Sequence, residues 1–535
     1  APYFGSIDSL TRAMGDVSFD HQGRRIQGMR MQNTGDVYAV NGWEAMPYDN
    51  HSGIVDIYRN CKGNPSTFTY YTQPLYVAVS PRTQFVHLPG KVPVDFYIVN
   101  EKNLSGKYRL SVFVCTPDGK EGKHIEKEVH ITGGDCFGQL LLEHCQLEIE
   151  GVSGLYQVKA QLRNASGHLC AEGKDEVLGI YWDKKQLKGK GALYGTPDDP
   201  VATFYQKATG CELPAFHSDI EKLDWIVVTR SSLDAPQPVP VEAFCQKEGK
   251  SVLELSLYKD DDLRTLAGVT QDNKIDRTFA DGAQPDPLLP ANQSFSAIWD
   301  GKLKAPQSGT YMIGVTSDQG MRLSVNGQRI VDEWRNNKEL TVVRPFLLKA
   351  GDEVAVRVEY SQRNPTGSVQ LVWSLPDHAA IAPQELLDRV KEDGTSLLLL
   401  KSAESWMDAV SAYTGSAYHG YYSVGKNWVG GVHFVKEHPL FNGLPVNVAM
   451  GWPYQALVRN GDRRLGLHID NEELVAGSYG SAPFNLGSAV GIISCGKGKI
   501  YYSTLDLVDN LNNPAAAADV ARKLFCNFIL LSKDR

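Results

Sequence analysis

The alternation of strands and helices in this chain is interrupted, and that interruption limits the folds that it can adopt. Between residues 188 and 252, short apolar strands alternate with helical segments, as in a doubly wound α/β domain. Residues 253–377 contain no convincing helix and many strands that end at turns. The alternation resumes at residue 382. We therefore expect a β-sandwich inserted into an α/β domain, with the two ends of the insertion close together; three domains in series is the alternative.

The α/β segments have distinct local signals. Residues 223–230, LDWIVVTR, form a nearly continuous apolar run, as expected for a strand that is covered on both faces. The helical stretch at 196–210 begins with Pro and Asp residues, which is typical of a capped helix. The predicted strands are 191–195, 223–230 and 395–402, and the predicted helices are 196–210, 238–249, 382–394 and 403–415.

The N-terminal region has two different textures. Residues 1–36 predict two helical stretches separated by Gly and Asp, and residues 37–44 predict a strand. From residue 71 to 184, short alternating strands are separated by Gly, Asn, Asp and Pro. This spacing over about 100 residues predicts an immunoglobulin-like β-sandwich.

Composition excludes several partners. The 535 residues carry a formal net charge of −8, so the chain lacks the overall basic charge that is typical of binding to nucleic acid or to an anionic membrane. No apolar run is long enough to span a bilayer. Nine cysteines form no C-x-x-C pair, which disfavours a zinc ribbon. The chain begins with Ala and shows no signal peptide, so this start is either a processing site or a boundary within a longer chain.

Residues 38–60 carry a motif at the end of a predicted strand. The strand ends in Trp43 and Glu44, and Asn50 and the sequence SGIVDIYRNCKG follow in the loop. This stretch resembles the last barrel strand of glycoside hydrolase family 2, which includes β-galactosidases and β-glucuronidases. The resemblance covers about the first 65 residues. It implies the end of a (β/α)₈ barrel in which Trp43, Glu44 and Asn50 form one wall of a sugar subsite.

The loop after that strand indicates whether the sugar in the subsite is neutral or acidic. The β-glucuronidase branch carries an Asn-x-Lys motif there, and the Lys binds the substrate carboxylate. Here Asn50 is followed by His51 and Ser52, so the cation that would pair with a uronic acid is missing. The resemblance therefore implies a neutral sugar such as galactose.

The catalytic pair of that family has no counterpart in this sequence. Retaining glycosidases need two carboxylates about 5–5.5 Å apart, and in family 2 both are Glu on barrel strands 4 and 7. No Glu precedes Glu44, and Ser9 aligns where the nucleophile belongs. We therefore expect no catalytic residue in this chain and no hydrolysis by it alone. Glu44 as the nucleophile is the alternative to a supporting or structural role.

Residues 253–377 resemble the protective-antigen-like module, a β-sandwich that is often fused to glycosidases and adhesins. The stretch FSAIWDGKLKAPQSGTYMIGVTSDQGMRLSVNGQRIVDEW carries the resemblance. Sugar-binding members have an Asp pair that helps to hold Ca²⁺ and the glycan. Here the loop at 317–320 reads SDQG, which implies Asp318 and Gln319 as glycan-binding candidates. Because the second acid is missing, we expect no cofactor, with Ca²⁺ at Asp318 as one alternative and a simple hairpin turn as the other.

The α/β segments resemble the class I glutamine-amidotransferase-like fold, through HPLFNGLP and GKGKIYYSTLDLVDN. Similar domains form the trimerisation region of some β-galactosidases, which implies a homo-oligomer. Active amidotransferases place a Cys in a tight strand-to-helix turn, and the turn at 397–406 has none. Ser402 offers a hydroxyl, but no pattern pairs it with His433 or His438, so we expect a scaffold.

Together these features predict a multidomain α/β plus all-β chain whose α/β domain is flavodoxin-like. The function that follows is the C-terminal part of a retaining family 2 β-glycosidase acting on plant, algal or host glycans, periplasmic or secreted, with carbohydrate as its partner. The alternative is a non-catalytic carbohydrate-binding or scaffold protein. The predicted domains are a barrel remnant (1–70), an immunoglobulin-like sandwich (71–184), an amidotransferase-like domain (185–252 and 378–535) and a protective-antigen-like sandwich (253–377).

Overall fold

The structure is a computed structural model, and it divides the chain into two compact units. The first unit comprises Ala1–Arg230 and Gln384–Arg535, and the second comprises Ser231–Pro383. The described residues are 6–33, 53–56, 58–187, 189–195, 199–216, 220–232, 239–241, 244–247, 250–251, 253–306, 309–374, 383–424, 432–458, 464–480 and 485–532.

Strands outnumber helices in the described residues, so the chain is a mostly β multidomain protein. The α-helices are α1 (Ile7–Met31), α2 (Ser66–Thr72), α3 (Pro200–Thr209), α4 (Pro383–Asp388), α5 (Met407–Thr414), α6 (Leu507–Asn510) and α7 (Asp519–Leu531). The strands are β1 (Leu75–Pro81), β2 (Phe85–His87), β3 (Gly90–Asn100), β4 (Gly106–Cys115), β5 (Ile125–Ile131), β6 (Gly138–Ile149), β7 (Gly154–Arg163), β8 (Leu169–Ile180), β9 (Gly191–Tyr194), β10 (Trp225–Val228), β11 (Val239–Pro240), β12 (Gln246–Lys247), β13 (Lys250–Ser251), β14 (Leu253–Tyr258), β15 (Leu266–Asp272), β16 (Asp276–Phe279), β17 (Phe295–Lys304), β18 (Gly309–Ser317), β19 (Gly320–Val325), β20 (Gln328–Glu333), β21 (Leu340–Leu348), β22 (Glu353–Gln362), β23 (Gly367–Ser374), β24 (Ser396–Leu399), β25 (Tyr418–Val424), β26 (Val432–Val435), β27 (Val448–Ala449), β28 (Arg464–Ile469), β29 (Glu473–Gly480), β30 (Asn485–Cys495) and β31 (Gly498–Ser503).

The N-terminal segment forms one 25-residue helix, α1, so the prediction of two helical stretches is wrong. A capping box starts the helix, because the Ser6 side chain accepts from the Ser9 amide and the Ser9 hydroxyl accepts from the Ser6 amide. The glycines that suggested breaks are instead points of close approach. A Cβ at Gly15 would lie 2.0 Å from the Lys62 carbonyl oxygen, and one at Gly23 would lie 2.0 Å from the Tyr71 ring. The close packing that is possible only with glycine at these two positions offsets the low helix propensity of glycine.

Two glycines of α1 should respond to the same substitution in opposite ways. A methyl group at Gly28 would meet nothing within 4 Å, so Gly28→Ala should raise the free energy of unfolding by up to about 1 kcal/mol through helix propensity. Gly23→Ala would overlap the Tyr71 ring and should lower that free energy by about 1–3 kcal/mol. Urea unfolding followed by tryptophan fluorescence measures both values. Equal changes in the two variants would contradict the packing of α1 against α2.

Strands β1 to β8 form a two-layer β-sandwich in the first unit. One sheet has the order β1-β3-β6 and the other has the order β2-β8-β7-β4-β5. Alternate residues of β7 are buried, as expected when one face of a strand points into a core. Val94, Phe96, Val112, Val158 and Val177 belong to the apolar core between the sheets.

In its described residues, the first unit also contains a ten-stranded sheet. Its parallel section has the order β31-β24-β10-β9, and Trp225 of β10 pairs directly with Ser396 of β24. These two strands are neighbours although the whole second unit separates them in the sequence. Asp199 caps α3 through the Val201 amide, as the Pro and Asp signal predicts. Strands β25 to β30 pair antiparallel, an arrangement that the sequence pattern did not reveal.

The second unit is a β-sandwich. One sheet contains β11, β16, β18, β21 and β23, and the other has the order β15-β14-β17-β22-β19-β20. Large aromatic side chains fill the core between the sheets, among them Trp299, Tyr311 and Tyr360. The predicted helix at 238–249 is wrong in its described part, because residues 239–240 form strand β11 and residues 246–247 form strand β12. Pro240 lacks an amide hydrogen, which suits the edge position of β11 beside β23.

In the residues that the structure describes, no helix is both long and apolar enough to cross a bilayer.

Candidate functional site

Four strand ends meet in the second unit. In one sheet, Phe279 at the end of β16 pairs with Gly367 at the start of β23. In the other sheet, Phe295 at the start of β17 pairs with Gln362 at the end of β22. The rings of Phe279 and Phe295 are 5.0 Å apart, so the two pairs of ends face each other. The loops that leave these ends therefore surround one region of the sandwich.

A cleft with a volume of about 810 Å³ lies among these loops. It is lined by residues 276–285, 292–294 and 362–365. Its volume falls within the range of small-molecule binding sites. Most of its lining side chains are polar, among them Asp276, Arg277, Asp281, Gln284, Asn292, Gln293, Arg363 and Asn364. Such a lining offers hydrogen-bond donors and acceptors over an apolar base.

Aromatic packing supports the base of the cleft. The Phe279 ring stacks on the Tyr360 ring at 5.5 Å with an interplanar angle of 23°. The Tyr360 hydroxyl donates a hydrogen bond of 2.6 Å to Oε1 of Gln362, which lines the cleft. Burial raises the pKa of Tyr360, and nearby Asp318 adds to that effect, so the hydroxyl stays protonated and remains a donor.

Gly367 leaves room for this hydrogen bond. A Cβ at this position would lie 2.2 Å from the Tyr360 hydroxyl and 2.7 Å from Oε1 of Gln362. It would also lie 3.0 Å from Cγ of Gln319. The absence of a side chain at residue 367 is therefore a condition for the cleft wall to hold its shape.

The loop at 317–320 lies directly behind that wall. Oδ1 of Asp318 accepts from the Ser368 amide at 2.7 Å. The side chain of Gln319 donates to the Thr366 carbonyl at 3.1 Å and accepts from the Arg363 amide at 3.3 Å. Gln319 is only 3% exposed, whereas Asp318 is half-buried. The two residues thus hold the loop at 363–368, and the buried Gln319 side chain is committed to that task.

Arg363 is a residue of this wall that the sequence did not single out. Its Nη1 donates to the Trp334 carbonyl at 2.7 Å, and its Nε donates to Asp261 at 3.0 Å. Its Nη2 is buried and has no hydrogen-bond partner within the described part of the chain. The guanidinium group therefore has a fixed position, and its Nη2 nitrogen makes no hydrogen bond to a described residue.

The residues around Asp318 do not fit a Ca²⁺ site built on two adjacent residues. One Asp318 oxygen accepts from a backbone amide, and the Gln319 amide oxygen accepts from the Arg363 amide inside the protein. Among the described residues, Asp318 belongs to no group of three or more potential metal-ligating side chains. Hard cations favour several oxygen ligands and gain from each charge.

The other predicted site residues fall in two groups. Trp43, Glu44 and Asn50 lie outside the described residues. Ser402 has a left-handed backbone with φ of 53°, and no hydrogen bond joins its hydroxyl to a described histidine. His438 accepts from the Leu440 amide and caps a short helical turn. Among the described residues, therefore, no histidine is hydrogen-bonded to Ser402 as a base.

Comparison with known families identifies the second unit. The family model described as PA14 domain matches residues 249–386. This chain contains a PA14 domain. The match confirms the resemblance of residues 253–377 to a protective-antigen-like module.

Individual relatives cover only part of this chain. It is 29% identical over 117 residues to the anti-sigma-I factor RsgI3 of Acetivibrio thermocellus, a match that covers 22% of this chain and 18% of that protein. This chain therefore spans less than a fifth of the length of that curated relative.

Solved structures with similarity to this chain include three carbohydrate-related proteins. The β-glucosidase from Kluyveromyces marxianus in complex with glucose is 14% identical and covers 42% of this chain and 29% of its own, with a TM-score of 0.22. A PA14 sugar-binding domain from an RTX adhesin is 19% identical and covers 23% and 87%, with a TM-score of 0.18. The epithelial adhesin 9 A domain from Candida glabrata, in complex with Galβ1-4GlcNAc, is 11% identical and covers 27% and 98%, with a TM-score of 0.19.

Proposed function

We propose that this protein binds a glycan in the cleft of its PA14 domain. The cleft itself is the observation that carries the proposal, because its volume suits a small saccharide and its lining is rich in hydrogen-bonding side chains. Sugar hydroxyls donate and accept hydrogen bonds, and carboxylates, amides and guanidinium groups match both roles. Two of the similar structures, a sugar-binding PA14 domain and an adhesin in complex with Galβ1-4GlcNAc, agree with this class of ligand.

We infer that the ligand is a neutral glycan. The ionisable lining residues are Asp276, Asp281, Arg277 and Arg363, so the formal charges in the cleft cancel. Arg277 is also paired with Asp272 at 2.8 Å, which reduces its ability to attract an anion. A cleft without a surplus charge offers little to a uronic acid or a sulfated sugar.

Asp318 and Gln319 support this proposal as positioning residues. Their hydrogen bonds hold the loop whose residues 363–365 line the cleft. We propose that they shape the wall, and that glycan contacts come from side chains such as Asn364 and Gln293.

Filling part of the cleft should weaken glycan binding. Ala280 lines the cleft and is exposed, so Ala280→Trp should occupy part of the ligand volume and weaken binding by at least about tenfold, the factor that 1.4 kcal/mol represents. A screen of the full chain against an array of neutral and acidic glycans would select the ligand, and calorimetric titration would measure its affinity.

The matched control is Ala350→Trp, the same change at an exposed alanine of the second unit that does not line the cleft. It should bind as the wild type does. Equal affinities for the two variants, or no hit on the array, would contradict the proposal.

We further propose that the PA14 domain is inserted into an amidotransferase-like, flavodoxin-like scaffold that follows an immunoglobulin-like sandwich, in a secreted or periplasmic protein. The direct pairing of β10 with β24 supports the insertion. The motif around Trp43, Glu44 and Asn50 supports the proposal that the chain is the C-terminal portion of a retaining family 2 β-glycosidase active on a neutral sugar. Turnover of nitrophenyl β-galactoside by this chain alone, lost in Glu44→Gln, would show instead that the chain has a complete active site.

A further inference from the structure

Three potential metal ligands form a group on the surface of the first unit. His419, His468 and Asp470 each offer one ligand atom, and these atoms all lie within 4.8 Å of one another. All three residues are exposed. Within the described ranges, this is the one group of three or more His, Cys, Asp or Glu side chains with such a spacing. We call it the histidine cluster.

The backbone of β25 and β28 determines how two of these residues meet. Tyr418 pairs with Ile469, but the next pair along the ladder is Tyr421 with Leu467. Two residues of β25 therefore lie opposite His468, which is the pattern of a β-bulge. The extra residue is Gly420, whose φ of 93° lies in the left-handed region.

This bulge leaves His419 beside His468, with a ring-centroid distance of 4.7 Å. Asp470 follows directly after β28, and its amide donates to the Ala417 carbonyl at 3.0 Å. That bond keeps the end of β28 against the start of β25. The relative positions of the three ligands are thus set by strand pairing rather than by a free loop.

The distances suit closure around an ion by small side-chain movements. His419 Nε2 lies 2.9 Å from Asp470 Oδ1. Metal–ligand bonds of about 2.0–2.1 Å in a tetrahedral site place ligand atoms about 3.3 Å apart. The ligand atoms now lie within 4.8 Å of one another and must move closer together to reach that spacing, and all three residues are exposed.

We propose that the histidine cluster is a Zn²⁺-binding site. Two imidazoles and one carboxylate suit borderline divalent ions such as Zn²⁺, Cu²⁺ and Ni²⁺ better than Ca²⁺ or Mg²⁺. Three protein ligands leave a fourth position for water or for a group on a partner molecule. Bound zinc would join β25 to β28, two strands that lie off the main path of the ten-stranded sheet.

A hydrogen bond between His419 and Asp470 explains two members of the cluster without an ion. That hydrogen bond does not involve His468, so a variant of His468 gives the most direct test of the proposed site. His468→Ala leaves the pair of His419 and Asp470 intact, and the exposed position of His468 makes this variant compatible with folding.

The test is calorimetric titration of Zn²⁺ into the chelator-treated full chain. His468→Ala and Asp470→Asn should each weaken binding by at least about tenfold. His21→Ala, an exposed histidine on α1, is the control and should leave the affinity unchanged. The exposed thiols of Cys61 and Cys211 can also bind zinc. The test therefore compares the Zn²⁺ affinities of the variants and does not rely on the total stoichiometry.

Electron paramagnetic resonance with one equivalent of Cu²⁺ gives a second readout. The wild type should show coupling to two imidazole nitrogens, and His468→Ala should show coupling to one. Unchanged Zn²⁺ affinity in His468→Ala together with an unchanged copper spectrum would overturn the proposal and reduce the cluster to a surface hydrogen bond.

Discussion

Replacing Arg24 with Met should lower the free energy of unfolding by about 3–5 kcal/mol, the usual cost of leaving a buried charge without its partner. Arg24 of α1 makes two parallel hydrogen bonds to the carboxylate of Asp175 in β8, at 2.8 and 2.7 Å. The Asp175 side chain is only 4% exposed. Methionine keeps much of the length of the side chain, so the loss reports the charge rather than a cavity. Urea unfolding at neutral pH measures it.

The loss in the free energy of unfolding of Arg24→Met should also depend on pH. Burial raises the pKa of Asp175, and Arg24 opposes that rise. In Arg24→Met the folded-state pKa therefore lies further above the unfolded value of about 3.9. A raised folded-state pKa gives stability that is present below the unfolded pKa and lost as pH rises through the folded one. The deficit should be larger at pH 7 than at pH 4.5.

A second substitution provides the control. Arg24→Met combined with Asp175→Leu removes both charges and should recover most of the lost stability, because no charge is then left buried. A deficit that is equal at the two pH values, together with no recovery in the double variant, would contradict this description of the ion pair.

Gly367→Ala should remove glycan binding almost completely. The new methyl group would overlap the Tyr360 hydroxyl and Oε1 of Gln362, so the Gln362 wall of the cleft must move. We expect a loss of affinity of at least about a hundredfold, equal to about 2.7 kcal/mol, and a fall of about 1–3 kcal/mol in stability. Calorimetric titration with the glycan selected on the array measures the first effect.

Gly28→Ala is the control for that variant, because it is the same chemical change in the first unit and has open space around it. Its glycan affinity should equal that of the wild type. If Gly367→Ala bound the glycan normally while folded, the wall formed by Gln362 would not belong to the binding site.

Local sequence signals predicted elements whose boundaries are set by local chemistry. The helix α3 follows its Pro and Asp signal, and the apolar run at 223–230 contains the buried strand β10. The single helix α1 was not predictable, because the reason that Gly15 and Gly23 do not break it lies in Lys62 and Tyr71, far along the sequence. The sequence alone does not distinguish a glycine that ends a helix from a glycine that allows a close contact.

The candidate site residues, like the glycines of α1, depend on contacts between residues that are far apart in the sequence. The family-like loop pointed to Asp318 and Gln319, and the structure places both directly behind the cleft wall. The cleft itself comes from segments about 80 residues apart that meet only through the pairing of β16 with β23 and of β17 with β22. His419 and His468 likewise meet through a bulge whose register no short sequence pattern reveals.

A crystal structure of the full chain with the glycan selected on the array tests the central claim most directly. The account predicts that the sugar lies in the cleft of the PA14 domain, in contact with side chains from 276–285, 292–294 and 362–365. It also predicts that Gln319 remains buried and makes no contact with the sugar. A glycan bound elsewhere on the chain, with this cleft filled only by water, would contradict the account.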